Sequence, residues 1–247
     1  MKERIACWFA PVAAAVALAT LLLSGGCAWE NLPAVAPAVK PLLEITFWMS
    51  DTIDPKWFYF VAIEMDDDLQ GPLPEVSGTD RARNWTHYFL YTNNPLLTSG
   101  SPTYLYANIR PENDVASILQ IPVRLDRQSF YVAADIQSRT VQGQPRTNNA
   151  IHLLLDLNAF TLRPGGGANF TQFNIQFVTA SAGVDQLTNP PNPPEIGTTL
   201  DALDVPYMNV PSLLMGMVKN SDTTPNERIG DQPLAAADIA GWEIKVR

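Results

Sequence analysis

Residues 56–65 read KWFYFVAIEM, and this stretch decides the fold class. Aromatic and β-branched residues fill it, and these residue types favour β-strands. Side chains alternate between the two sides of a strand, and here both alternate sets are apolar: Trp57, Tyr59, Val61 and Ile63 on one side, Phe58, Phe60 and Ala62 on the other. The stretch therefore predicts a central strand that is covered on both faces or whose outer face meets a loop.

Eight further short segments have the same aromatic and β-branched character. They are LLEITFWM (42–49), THYFLYT (86–92), TYLYANI (103–109), SILQIPVRL (117–125), QSFYVAADI (128–136), AIHLLLDL (150–157), QFNIQFVTA (172–180) and GWEIKVR (241–247). Gly- and Pro-rich connections such as RPGGGAN (163–169) and TNPPNPPEIGTT (188–199) separate them. Only PSLLMGMV (211–218) and QPLAAADIA (232–240) suggest single turns or short helices. The pattern predicts an all-β fold, an antiparallel β-sandwich of nine or more short strands, as one domain over residues 42–247.

The N-terminal segment has the order of a secretory signal. Lys2 and Arg4 precede an uncharged, mostly apolar run from Ile5 to Leu23. Residues 23–27, LSGGC, then resemble the lipobox of bacterial lipoproteins, although the leucine usual three residues before the cysteine is replaced by Ser24. The resemblance implies that residues 1–26 are a signal peptide and that Cys27 is lipidated and becomes the mature N-terminus.

Two other fates of this leader remain open. The apolar run could nearly cross a hydrocarbon layer of about 30 Å as a retained helix, or an ordinary signal peptidase could cut near Ala28. All three alternatives export the rest of the chain. Residues 27–41 follow with prolines at positions 33, 37 and 41, which favour an extended tether of roughly 3.1 Å per residue.

Composition limits the compartment and the partners. The chain has two cysteines, Cys7 and Cys27, so the exported domain would contain no disulfide. Removal of the leader leaves 14 basic and 24 acidic residues, a balance that repels nucleic acid and anionic headgroups. We therefore expect no nucleic-acid partner and a protein anchored to a membrane by lipid, in the cell envelope, facing the periplasm or the exterior.

One acidic stretch resembles part of a metal site. Asp66, Asp68 and Gln70 precede Gly71, as in the first half of a calcium-binding loop that wraps the ion with oxygen ligands. The match ends there, because Ser77 stands where such a loop has its bidentate glutamate. A solvated acidic turn without a cofactor is the favoured interpretation, and a calcium site is the alternative.

Aromatic residues provide the candidate ligand-binding positions. Alternation places Trp85, His87, Phe89 and Tyr91 on one face. Exposed rings on a strand can stack on sugars or on an apolar partner. The candidate positions are Trp57, Trp85, Tyr88, Tyr91, Tyr104 and Tyr106. Rings in strands are more often core, however, so burial is the favoured interpretation for all six and a binding surface is the alternative.

No catalytic constellation is visible. The two histidines, His87 and His152, lie within predicted strands, and the hydrolase, zinc-protease and nucleotide-binding motifs are absent. We expect a non-enzymatic protein: a binding module for a glycan or another extracellular ligand, or else a structural or assembly component of the envelope. Exposure of the six rings would favour binding, and their burial would favour the structural role.

Overall fold

The computed structural model describes residues 41–65, 71–75, 80–83, 85–108, 122–160, 172–181, 195–203, 207–211, 216–221 and 228–247. The chain divides into two units, Met1–Val39 and Lys40–Arg247, and every described residue lies in the second. Cys27 and the calcium-loop candidates Asp66, Asp68 and Gln70 lie outside the described residues.

Strands dominate the described part of the chain. They are β1 (Leu42–Met49), β2 (Phe58–Glu64), β3 (Leu73–Glu75), β4 (Asp80–Arg83), β5 (His87–Thr92), β6 (Thr103–Asn108), β7 (Val123–Arg124), β8 (Tyr131–Gln137), β9 (Thr140–Val141), β10 (Gln144–Pro145), β11 (Ala150–Asp156), β12 (Gln172–Ser181), β13 (Glu195–Ala202), β14 (Met208–Pro211), β15 (Met217–Asn220) and β16 (Ile239–Val246). The helical elements are α1 (Pro95–Thr98), α2 (Leu157–Phe160) and a 3₁₀ turn at Leu125–Arg127.

These strands form two large antiparallel sheets. The five-stranded sheet has the order β15-β16-β1-β11-β8. The nine-stranded sheet has the order β3-β4-β13-β12-β2-β5-β6-β7, with β14 also paired to β12, and β9 and β10 form a separate hairpin. The predicted all-β antiparallel sandwich is confirmed.

The main core lies between the inner faces of the two sheets. The five-stranded sheet contributes alternate residues of β1, namely Leu43, Ile45, Phe47 and Met49, and the nine-stranded sheet contributes Tyr59, Val61 and Ile63 of β2. Phe47 stacks on Phe177 of β12 across this core, with ring centroids 4.7 Å apart. Each such side chain stabilises the fold by about 1.5–3 kcal/mol when it is fully buried.

A second apolar cluster lies on the opposite face of the nine-stranded sheet. Phe58, Phe60 and Ala62 of β2 pack there with Trp85, Tyr88, Leu90, Leu105, Ala107, Val178 and Ala180, and all are buried. Every residue of β2 is buried. This burial agrees with the predicted central strand that is covered on both faces or whose outer face meets a loop.

The sequence prediction of the elements was incomplete at particular places. Each of the nine predicted segments contains a strand, but β13 begins at Glu195, inside a stretch that was expected to be a connection. Of residues 211–218, where a single turn or short helix was expected, Pro211 ends β14 and Met217 begins β15, while residues 212–215 lie outside the described residues. Ala237 donates its N–H to the Leu234 carbonyl, which makes one turn within residues 232–240, as expected. Among the described residues, no helix is long and apolar enough to cross a membrane.

Candidate functional site

The six predicted ligand-binding rings do not form one surface. Trp85 and Tyr88 belong to the second cluster and are 3% exposed, while Tyr91 and Tyr106 belong to the main core and are 8% exposed. Trp57 and Tyr104 are partly buried against the main core. The nine-stranded sheet therefore separates the rings into two groups on opposite faces.

The predicted grouping of Trp85 with Phe89 and Tyr91 was wrong. Trp85 lies 5.4 Å from Phe60 and 6.1 Å from Tyr88, between ring centroids, in the second cluster. The strand begins only at His87, so strict alternation does not extend back to Trp85.

Tyrosines in the main core stay protonated. Burial is the main cause that raises the pKa of Tyr91 and Tyr104 above the ordinary value, because it disfavours the phenolate. The two rings are in contact, with centroids 4.8 Å apart. Tyr59 donates its hydroxyl to the carbonyls of Asp54 and Ala236, so it ties the start of β2 to the turn before β16.

A charged layer covers the outer face of the five-stranded sheet. Residues 43, 45, 47 and 49 of β1 face the core, so the intervening side chains face outward. The same alternation turns residues of β8, β11 and β16 outward, and Arg139 and Arg247 reach the layer from strand ends. We call this set the outer polar face: Glu44, Thr46, Trp48, Asp135, Arg139, His152, Glu243, Lys245 and Arg247.

One line of ion pairs crosses this face over three neighbouring strands. His152 Nδ1 lies 2.5 Å from Asp135 Oδ1, and His152 Nε2 lies 3.4 Å from Glu44 Oε1. Arg247 pairs with the other oxygen of Glu44. His152 is thus a partly buried histidine held between two carboxylates, in agreement with its predicted place within a strand.

A second group of charges lies beside it. Glu243 Oε1 is 2.6 Å from Lys245 Nζ and 3.9 Å from a terminal nitrogen of Arg139. The Arg139 guanidinium also lies over Trp48, 5.7 Å from the ring centroid. Trp48 in turn covers Gly241, where a Cβ would come within 2.5 Å of the indole. Three carboxylates and three permanent cations therefore compensate one another on this face.

Thr46 is the central residue of the outer polar face. It lies directly opposite His152 on β11 and opposite Glu243 on β16. Its exposed fraction is 0%, and its hydroxyl has no hydrogen-bond partner among the described residues. Arg139 Nε is likewise buried without a partner. A buried polar group left unpaired costs about 1–3 kcal/mol, so this face carries an energetic cost that the fold itself does not explain.

A carboxylate cluster lies elsewhere, between β13 and the turn that precedes β16. One oxygen from each of Asp201, Asp231 and Asp238 lies within 4.8 Å of the others, a spacing at which a hard divalent cation could be held. Burial raises the pKa of Asp201 to about 7, opposed by the Ile239 N–H and reinforced by Asp231 and Asp238.

Backbone N–H groups and the hydroxyl of Ser50 already occupy the buried oxygens of this cluster. Asp238 accepts the N–H of Gly230 at 2.9 Å and the hydroxyl of Ser50. Asp201 accepts the N–H of Ile239 at 2.6 Å and that of Ala202 at 2.8 Å. These bonds hold the turn at residues 228–238 against β13, which is a structural role.

His87 is a partly buried histidine that packs against rings of the main core. Burial lowers its pKa to about 4, so the imidazole is neutral at physiological pH. Its Nδ1 lies 2.9 Å from Thr86 Oγ1, and its ring contacts Tyr106 and Phe160.

The sequence prediction missed the outer polar face and the carboxylate cluster. A signal for the first is present in LLEITFWM, where Glu44, Thr46 and Trp48 alternate with apolar residues and mark a polar outer side. No local signal could have grouped Asp201 with Asp231 and Asp238, because a turn and two strand ends bring them together.

Comparisons of the chain with protein-family models, with curated proteins and with solved structures found no match. The function is therefore argued from the sites themselves, since a fold alone does not define an activity.

Proposed function

We propose that the protein is an exported lipoprotein, held in the cell envelope by lipid on Cys27, whose β-sandwich is a non-enzymatic binding module. The leader order, the lipobox-like LSGGC and the proline-containing tether support the anchor. A lipid is needed because an acidic domain has no attraction to anionic headgroups.

The observation that carries the binding role is that the partly exposed indole of Trp48 lies on the outer polar face together with the exposed side chains of Asp135 and Arg247. An aromatic ring beside charged side chains on an exposed face can offer a ligand both an apolar and a polar contact. The outer polar face therefore takes over, in this proposal, the role that the sequence suggested for the six rings.

The second candidate role is a structural or assembly component of the envelope. The burial of Trp85, Tyr88, Tyr91 and Tyr106 favours it, because buried rings contribute to the core and cannot stack on a ligand. The partner would then be an envelope protein, not a glycan.

The anchor is tested by Cys27→Ala in the host. We expect a larger, unprocessed precursor and loss of lipid-dependent membrane association, and globomycin treatment of the wild type should give the same precursor. An unchanged mass after both treatments would show that Cys27 is not a lipidation site.

The binding role is tested with immobilised mature protein and the envelope fraction of the host. Binding that survives protease but is lost after periodate, which cleaves vicinal diols, identifies a glycan. The opposite pattern identifies a protein partner and favours the assembly role. No retained component in either case would refute the binding module.

A further inference from the structure

We propose that two copies of the protein associate through β8, the edge strand of the five-stranded sheet, and form one continuous antiparallel sheet across a two-fold axis. This surface and its occupant, a second copy of the chain, do not depend on the proposed ligand-binding function. Three features support the association: the exposed apolar residues of β8, its outward-directed backbone groups and the self-complementary order of its side chains.

The main core is incomplete at β8. No residue of β8 is buried, whereas five of the seven residues of the neighbouring β11 are. Tyr131, Ala134 and Ile136 pack against the main core but are only partly buried, and Val132 is 45% exposed. A partner strand at this edge would remove apolar surface from water, which favours association.

The backbone of β8 can form hydrogen bonds with such a partner. Asp156 of β11 donates its N–H to the Phe130 carbonyl, and the same alternation along β11 directs the backbone groups of Asp135 toward β11. The N–H and C=O groups of Ala134 and Ile136 therefore point away from β11. Within the described part of the chain, β11 is the only strand paired with β8. An open edge of this kind is a template for a further strand.

The opposite edge of the five-stranded sheet is protected against such pairing. Strand β15 has four residues, and Lys219 within it lies opposite Ile244, a core residue of β16, and donates to the Asn209 carbonyl of β14. A short edge strand with an inward-pointing charge opposes edge-to-edge association. Strand β8 has seven residues and contains neither lysine nor proline. Pairing through β8 leaves the protected β15 at both ends of the joined sheet, so the assembly closes as a dimer.

The order of side chains along β8 suits pairing with itself. Asp135 is the one charged residue of the strand. A two-fold axis through Ala134, the middle residue, aligns all seven positions and places Asp135 of each copy opposite Ala133 of the other. Like charges, which destabilise a pair when they lie directly opposite, do not meet in this register. The two Ala134 residues can exchange their outward-directed hydrogen bonds across the axis.

Sedimentation velocity of residues 27–247 tests the association, with Cys27→Ser to remove both the lipid and the remaining thiol. This chain should show a monomer–dimer equilibrium over a wide range of concentration. Val132→Glu should weaken dimerisation about tenfold, because symmetry places the added charge near Asp135 of the other copy twice. Val218→Glu is the matched control, since Val218 is 53% exposed but lies on β15. It should leave the dimer unchanged, and both variants should unfold at similar urea concentrations.

Disulfide trapping in the same Cys27→Ser chain tests the register. In the proposed dimer Ala133 and Asp135 of opposite copies form a non-hydrogen-bonded pair, whose Cα atoms lie about 4.5 Å apart. This separation falls within the range of about 4.4–6.8 Å that a disulfide spans. An oxidised mixture of Ala133→Cys and Asp135→Cys should therefore cross-link. Each variant alone should not, because identical positions are diagonal neighbours about 7–8 Å apart.

A monomer at every concentration would overturn the proposal, and so would a dimer that Val132→Glu and Val218→Glu weaken equally. Cross-linking of either cysteine variant with itself, or no cross-linking in the mixture, would overturn the two-fold axis through Ala134. An envelope protein of the host that cross-links to Ala133→Cys in place of the second copy would overturn self-association and assign the β8 edge to that protein.

Discussion

Replacing Asp231 with asparagine should stabilise the protein at neutral pH. The side chain of Asp231 is exposed, yet one of its oxygens lies within 4.8 Å of carboxylate oxygens of Asp201 and Asp238, which are both buried. Asp231 and Asp238 help burial to raise the pKa of Asp201 to about 7. Removing the charge of Asp231 relieves its repulsion with the carboxylates of Asp201 and Asp238 in the folded state.

The size of the effect follows from the same numbers. Asp201 has a pKa of about 7 in the fold against 3.8 in the unfolded chain, so its contribution to stability is fully present below about pH 4 and is lost as pH rises through 7. At 1.36 kcal/mol per pKa unit the complete loss is about 4 kcal/mol. Burial of Asp201 causes the largest part of this loss of stability. Two charges about 5 Å apart in a water-like medium repel by about 1 kcal/mol, which is the gain expected from Asp231→Asn.

Urea denaturation at pH 4, 6 and 8, in buffer with a chelator, measures this gain. The free energy of unfolding of Asp231→Asn should exceed that of the wild type by about 1 kcal/mol at pH 8, or roughly 2–4 °C in melting temperature, and the difference should be smaller at pH 4, where Asp201 is protonated. Asp126→Asn is the control, since Arg124 lies 2.6 Å from that carboxylate and its hydrogen bond lowers the pKa of Asp126. This control should not be more stable than the wild type. A difference that does not depend on pH, or a less stable Asp231→Asn at pH 8, would refute the repulsion.

Two further changes test the core. The pKa of His87 falls from 6.5 in the unfolded chain to about 4 in the fold, so the wild type should lose up to about 3 kcal/mol of its free energy of unfolding as pH falls from 6.5 to 4. His87→Gln should lose less free energy of unfolding between pH 7 and pH 4, as measured by urea denaturation. Equal losses in the two proteins would contradict the burial argument. Trp85→Ala should cost about 3–5 kcal/mol, because Trp85 is packed against Phe60 and Tyr88. Trp57→Ala should reduce the stability clearly less than Trp85→Ala does, since Trp57 is only partly buried. Similar losses of stability in thermal unfolding would mean that Trp57 and Trp85 do not differ in packing.

Features encoded by neighbouring residues could be predicted from the sequence. The segment 42–49 was predicted with the bounds that β1 has, because Glu44 and Thr46 alternate with apolar residues in a stretch rich in aromatic and β-branched residues. The double coverage of β2 was also predicted, because both alternate sets of its side chains are apolar. Strand β13 was not predicted, because Glu195–Ala202 contains a glycine, two threonines and an aspartate and follows a run of prolines. Its pairing with β12 makes it a strand, and that pairing is a tertiary interaction.

The candidate site depends on register, which a single segment does not encode. Thr46 meets His152 and Glu243, which are about one hundred and two hundred positions further along the chain, only because β1 pairs with β11 on one side and with β16 on the other. A shift of one residue in either pairing would place the partner's core-facing side chains on this face and remove the charged layer. The apolar residues of β1 therefore fix the register that assembles the polar ones. For this reason Thr46→Val, which leaves the inner face of β1 untouched, should leave the register of β1 and the fold unchanged.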